Sequence, residues 1–98
     1  MPVRIISRKR LREFWETHPE ARAPLEHWFR VTRHAEWRSL AEVRRTFHSA
    51  DVYEGKVIFD IGGNRYRLIA VIRYHRQKLY VRHVLTHREY SRGDWKDD

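Results

Sequence analysis

The 98-residue sequence contains no cysteine, which removes disulfide stapling, thiolate zinc sites and cysteine nucleophiles from consideration. It has no run of about 18 apolar residues, the length that a membrane-spanning helix needs. Met1 to Arg12 holds no apolar stretch of signal-peptide length, so the expected address is the cytoplasm, with no membrane partner. Internal repeats, low-complexity blocks and linker-like stretches are also missing, which leaves one domain over residues 1–98 as the expectation. A chain this short withdraws only about 60–65% of its unfolded surface from water, so its core must be compact. With 41% apolar residues and four tryptophans, there is enough apolar surface for one helix-on-sheet core, and disorder is excluded.

What is present in excess is positive charge: 21 Lys or Arg against 13 Asp or Glu, a net charge of +8. The excess is uneven. Lys56 to Arg92 holds nine basic residues against Asp60 and Glu89 alone, whereas Met1 to Gly55 holds eleven against eight, and Gly93 to Asp98 is net acidic. Arginine greatly outnumbers lysine, and its planar fork suits phosphate recognition and base stacking better than an ammonium does. Charge of this kind serves either nucleic-acid binding or plain solubility.

Two periodicities divide the chain. Val3 to Ile6 is a short β-branched run that reads as a first strand, with Ser7 as a helix N-cap. Leu11, Phe14, Trp15 and His18 then fall on one helical stripe. Thr17-His18-Pro19-Glu20 combines a T-x-x-E capping pattern with a first-turn proline, so a second helix is predicted to start near Pro19 and to bury Leu25, Trp28, Phe29 and Thr32. Pro24 leaves that start uncertain by a turn. Ser39-Leu40-Ala41-Glu42 introduces a third helix ending near Phe47. From Lys56 the pattern turns to strands: Lys56 to Ile61, a Gly62-Gly63-Asn64 turn, a long strand from Arg65 to Tyr74, a second turn at His75 to Lys78, and a strand from Leu79 to Leu85. On the middle strand Leu68, Ala70 and Ile72 face one way and Arg65, Arg67, Ile69, Val71 and Arg73 the other, which predicts a central position with both faces covered. Thr86-His87-Arg88-Glu89 repeats the capping pattern and predicts a helical turn over His87 to Ser91. Residues 93–98 read as a frayed tail that Trp95 could anchor. The predicted fold class is α+β, with N-terminal helices packed on an antiparallel β-meander.

The stretch Ile61-Gly62-Gly63-Asn64-Arg65-Tyr66-Arg67-Leu68, followed by Tyr80-Val81-Arg82-His83-Val84-Leu85-Thr86-His87-Arg88-Glu89-Tyr90, resembles the HigB branch of type II toxins in the RelE-like superfamily. Ala23-Pro24-Leu25 with Trp28, and Ala35-Glu36-Trp37, resemble the helical half of that family, so the likeness runs from about Phe14 to Tyr90. The resemblance implies a RelE-like fold and an endoribonuclease that cleaves messenger RNA, in many relatives only on a translating ribosome. It also implies neutralisation by a HigA-type antitoxin with a helix-turn-helix domain, in a complex able to bind operator DNA. No cofactor is implied.

RNA cleavage without a metal uses the RNA's own 2′-hydroxyl as nucleophile, and the protein must move that proton, stabilise phosphoryl charge and assist departure of the 5′-oxygen. Arginine cannot act as a base but stabilises phosphoryl charge well. Arg67 matches the strand arginine that the resemblance assigns to the active face, with Arg65 and Arg73 on the same side; the plain alternative is a set of solvated strand arginines. His87 is the acid or base candidate, because an imidazole of ordinary pKa near 6.5 populates both protonation states near neutrality. If Thr86 caps a helical turn, free backbone N–H groups beside His87 would favour phosphate; otherwise His87 is a surface histidine. Tyr90 matches the C-terminal tyrosine of RelE-like toxins, and either orients the 2′-hydroxyl, stacks on a base or simply closes the sheet. Lys56, Arg82 and Arg88 are further candidate phosphate contacts.

A metal site is not expected. His83 and His87 are four residues apart, but on a strand that spacing separates them by about 13 Å, too far for one ion. Gly62-Gly63-Asn64 lacks the spacing and lysine of a P-loop and reads as a turn. Two other functions fit the same residues: a non-catalytic RNA-binding module using the basic sheet with Tyr66, Tyr74 and Tyr80, and a purely partner-binding domain.

Overall fold

A computed structural model describes residues 1–97. Arg4–Ile6 forms β1, which runs into α1, Arg8–Thr17. Ser7 stands at the junction in the left-handed region with φ 75°, and its side chain caps nothing. The expected cap is replaced by a backbone turn in which the Ser7 carbonyl accepts from the Arg10 N–H at 3.0 Å. Thr17 does not start a new helix either. It is still the last residue of α1, so its hydroxyl donates back to the Phe14 carbonyl at 3.1 Å. A 3-10 turn over Pro19–Ala21 leads into α2, Arg22–Thr32. Pro24 lies in the first turn of α2, where its missing N–H costs no intrahelical bond.

The remaining two capping patterns form as expected. Ser39 accepts from the Glu42 N–H ahead of α3, Leu40–Thr46, although the Glu42 carboxylate reaches the Arg38 N–H rather than that of Ser39. The strands follow: β2, Asp51–Tyr53; β3, Lys56–Ile61; β4, Tyr66–Arg73; and β5, Lys78–Thr86. β2 was not anticipated. It pairs with β3 through a two-residue turn in which Glu54 and Gly55 both take positive φ, the geometry that tight hairpins favour. Thr86 opens α4, His87–Arg92, with a complete capping box.

The sheet order is β1-β5-β4-β3-β2. The meander is antiparallel, and β1 adds a parallel strand at the β5 edge, so the sheet is mixed. The α+β expectation therefore holds with one parallel addition. Alternation along the strands gives two faces. One, bearing Phe59, Leu68, Ala70 and Leu79, is buried under the helices with Leu11, Leu25, Trp28, Trp37 and Val43. Phe59 lies at its centre, edge-on to Trp28 and Phe47 and stacked with Trp37. The opposite face carries Ile58 and Ile69, covered by Trp95 together with Tyr53, Leu85 and Tyr90. Asp94–Asp97 forms a 3-10 turn whose Trp95 is buried. Up to residue 97, the expected frayed tail is thus an ordered cover on the sheet, held by burial of one indole; Asp98 lies outside the described residues.

Candidate functional site

At the end of β4 nearest the 62–65 turn, two of the residues singled out in the sequence, Arg67 and Tyr90, meet, and His87 stands on the helical turn that carries Tyr90. Arg67 points to the face opposite the helices and is buried, its side chain only 10% exposed. Its Nε donates to Asp60 Oδ1 at 3.0 Å, across the β3–β4 pairing in which the two residues are direct partners. Its Nη1 donates to the carbonyls of Asn64 and Tyr66 at 3.2 and 3.3 Å, and its Nη2 to Asn64 Oδ1. These contacts use four of the five guanidinium N–H donors. The Cζ atom sits 4.9 Å from the centre of the Tyr90 ring.

Tyr90 reaches Arg67 because α4 folds back over the sheet. The capping box fixes its start: Thr86 Oγ1 accepts from the Glu89 N–H at 3.1 Å, and Glu89 Oε1 accepts from the Thr86 N–H at 2.9 Å. Beyond α4, Gly93 takes φ 82° and turns the chain. Trp95 then stacks on Tyr90 with ring centres 5.3 Å apart and planes within 8°. The Trp95 Nε1–H donates to the Tyr90 carbonyl at 2.9 Å. With its ring engaged by Arg67 and Trp95, Tyr90 has its hydroxyl left as its chemical handle rather than a face for base stacking.

His87 is exposed in the first turn of α4, its backbone N–H donating to the Arg65 carbonyl at 2.9 Å. Nδ1 lies 3.3 Å from the Ser91 hydroxyl. Of the first-turn N–H groups expected to favour phosphate, those of His87 and Glu89 are taken by the Arg65 carbonyl and the Thr86 hydroxyl. Arg65 lies in the turn before β4 rather than on it, and Arg88 is on α4; both are exposed.

The other candidates lie elsewhere. Arg73 is on the same side of β4 as Arg67 but six residues on, about 20 Å away at the usual strand rise. Lys56, half-buried and paired with Tyr53 at the start of β3, is about 13 Å from the Asp60 level. Arg82 falls where a register shift interrupts the β4–β5 pairing, and its carbonyl accepts from Arg10 Nη1 at 3.1 Å. Sequence reasoning missed Asp60 and Asn64 as members of the cluster. The signal lay in the turn length: a four-residue turn at 62–65 sets a register that puts Asp60, the only carboxylate of β3, across from Arg67.

Residues 21–93 match the model of a family described as HigB_toxin, the RelE-like toxic component of a toxin-antitoxin system. The chain is also similar to a curated mRNA interferase HigB of Escherichia coli O6:H1 (strain CFT073), 27% identical over 93 residues that cover 92% of this chain and 90% of the relative. The mRNA interferase toxin HigB of Escherichia coli K12 is 26% identical over 92 residues, covering 91% of this chain and 88% of that one. A Shigella flexneri mRNA interferase HigB matches to the same extent. With the family model spanning well over half of its length, the chain belongs to the HigB family of RelE-like toxins of toxin-antitoxin systems.

Proposed function

We propose that this chain is an mRNA interferase, an endoribonuclease that arrests translation by cutting messenger RNA at the cluster formed by Arg67, His87 and Tyr90. The relatives carry that activity in their names, and one observation carries the reading here: Tyr90 is clamped over Arg67 in a cluster whose neighbouring helical turn presents an exposed imidazole. The reaction is an attack of the RNA 2′-hydroxyl on the adjacent phosphorus. The bond to the 5′-oxygen breaks, leaving a cyclic phosphate and a 5′-hydroxyl end, and needs no metal. His87 moves a proton, Tyr90 orients the 2′-hydroxyl through its phenol, and the exposed guanidiniums of Arg65 and Arg88 stabilise phosphoryl charge. Arg67, committed to Asp60 and Asn64, is a positioning residue that holds Tyr90 in place. Cleavage takes place in the cytoplasm on translating ribosomes, and a HigA-type helix-turn-helix antitoxin silences the toxin in a complex that binds operator DNA.

Mapping RNA 5′-hydroxyl ends after brief induction, with and without a translation inhibitor, tests activity and ribosome dependence together. New ends that vanish when translation is blocked are expected. Growth arrest without new ends would instead favour a non-catalytic RNA-binding module.

A further inference from the structure

A groove of about 610 Å³ opens at the far end of β4 from the cleavage cluster, between the start of α1 and the turn that joins β4 to β5. Four arginines, Arg10, Arg73, Arg76 and Arg82, line it together with His75 and Tyr80, and no carboxylate among the described residues does. Arg10, Arg73 and Arg76 are exposed and form no ion pair among the described residues. These three cations, gathered round a concavity, repel one another, and an incoming polyanion relieves that repulsion. Tyr80, half-exposed and paired with Val71 on the sheet, adds an aromatic surface of the kind on which an unpaired base stacks. Val71 and Arg73 are four and six residues from Arg67 on β4, which places them on its side of the sheet.

We infer that this groove is a second, non-catalytic subsite for the phosphodiester backbone of unpaired RNA, holding a stretch about 20 Å from the scissile bond. The inference rests on the reading of the chain as an RNA-cutting toxin, and it enlarges the substrate from a single junction to an extended strand. Arg73 and Arg76 supply phosphate contacts and Tyr80 a stacking platform. Affinity contributed here is independent of proton transfer at His87.

The test is binding of a labelled 16-nucleotide 2′-O-methyl RNA, which lacks the nucleophile and cannot be cut, measured across salt concentrations. Each phosphate contact to a single strand contributes about 0.7 to the slope of log affinity against log salt. The double variant Arg73→Ala, Arg76→Ala is therefore expected to flatten the slope by about 1.4 and to weaken binding roughly tenfold at physiological salt. Arg30→Ala with Arg33→Ala removes equal charge from the helical side and should have a much smaller effect. An unchanged slope, or an equal loss from both pairs, overturns the subsite. A loss seen with a duplex of the same length but not with the single strand overturns its assignment to unpaired RNA. Weakened antitoxin binding with RNA binding intact would give the groove to the antitoxin instead. Because the probe is inert to cleavage, a groove effect in a chain that generates no new RNA ends would remove the nuclease reading and leave the subsite standing.

Discussion

Arg67 makes its contacts within the fold, and that changes what its removal means. Alanine there deletes a buried cation and leaves Asp60, Asn64 and the Tyr66 carbonyl without their donor. Breaking such a pair costs about 2–3 kcal/mol once the partial exposure of Asp60 is allowed for. Arg67→Ala is thus expected to lose activity and to lower the melting temperature together, so inactivity alone says little about chemistry. Tyr90→Phe is the cleaner probe. It keeps the stack on Trp95 and the Arg67 contact while deleting the hydroxyl, so its thermal melt should move by no more than about 0.5 kcal/mol. Cleavage should fall on the order of a hundredfold, the scale of a misplaced nucleophile. His87→Ala, at an exposed position, should behave likewise. If either variant melts normally and yields wild-type numbers of 5′-hydroxyl ends, its residue has no part in the reaction.

At the scale of elements, α4 has only six residues and depends on its cap. Thr86→Ala removes the acceptor of the Glu89 N–H, a loss worth about 1 kcal/mol, or about 4–8 °C in melting temperature for a domain this size. Cleavage should drop further than stability does, because both His87 and Tyr90 ride on this turn. The two ends of β4 carry a different sensitivity. Burial, reinforced by the neighbouring Glu20 carboxylate, pushes the Tyr66 phenol above the ordinary tyrosine value of about 10, and burial does the same for Tyr74. The native state then holds these protons more tightly than the unfolded chain does. Their contribution is whole below pH 10 and is lost as pH rises through the native-state values. Melting temperature should therefore fall above about pH 10, and less steeply in Tyr66→Phe; a variant that tracks the wild type through that range would remove Tyr66 as a source.

Elements of this kind also show what a sequence discloses. Three T/S-x-x-E patterns occur, and those at Ser39 and Thr86 cap helices while that at Thr17 does not. The pattern is local, and at Thr17 the preceding helix captures the hydroxyl first. β2 escaped notice because a three-residue strand with a Glu-Gly turn is too short for a period to register. The parallel seat of β1 on β5 joins residues more than seventy positions apart, a pairing that no local pattern encodes. In the candidate site, residue types were legible from resemblance, whereas the commitment of Arg67 to Asp60 and Asn64 became visible only with hairpin register and burial.

For the molecule as a whole, the two faces of one sheet divide the work. The helical face holds the larger core, centred on Phe59 among Trp28, Trp37 and Phe47. The opposite face holds a small cluster in which Trp95 covers Ile58 and Ile69 and also braces Tyr90. A domain of 98 residues has a margin on the order of 5–15 kcal/mol. Phe59→Ala, at about 3–5 kcal/mol, should therefore weaken every protected amide, since the core opens as a unit. Trp95→Ala removes contacts to the last turns of the chain, to the central strands and to Tyr53 of β2. Hydrogen exchange should then speed up in α4 and the 94–97 turn, with β4 and β5 amides changing far less, and RNA cleavage should fall although most of the fold is intact. Uniform loss of protection in Trp95→Ala, matching that of Phe59→Ala, would mean that the second face is part of the global folding unit. The brace on Tyr90 could then not be separated from stability.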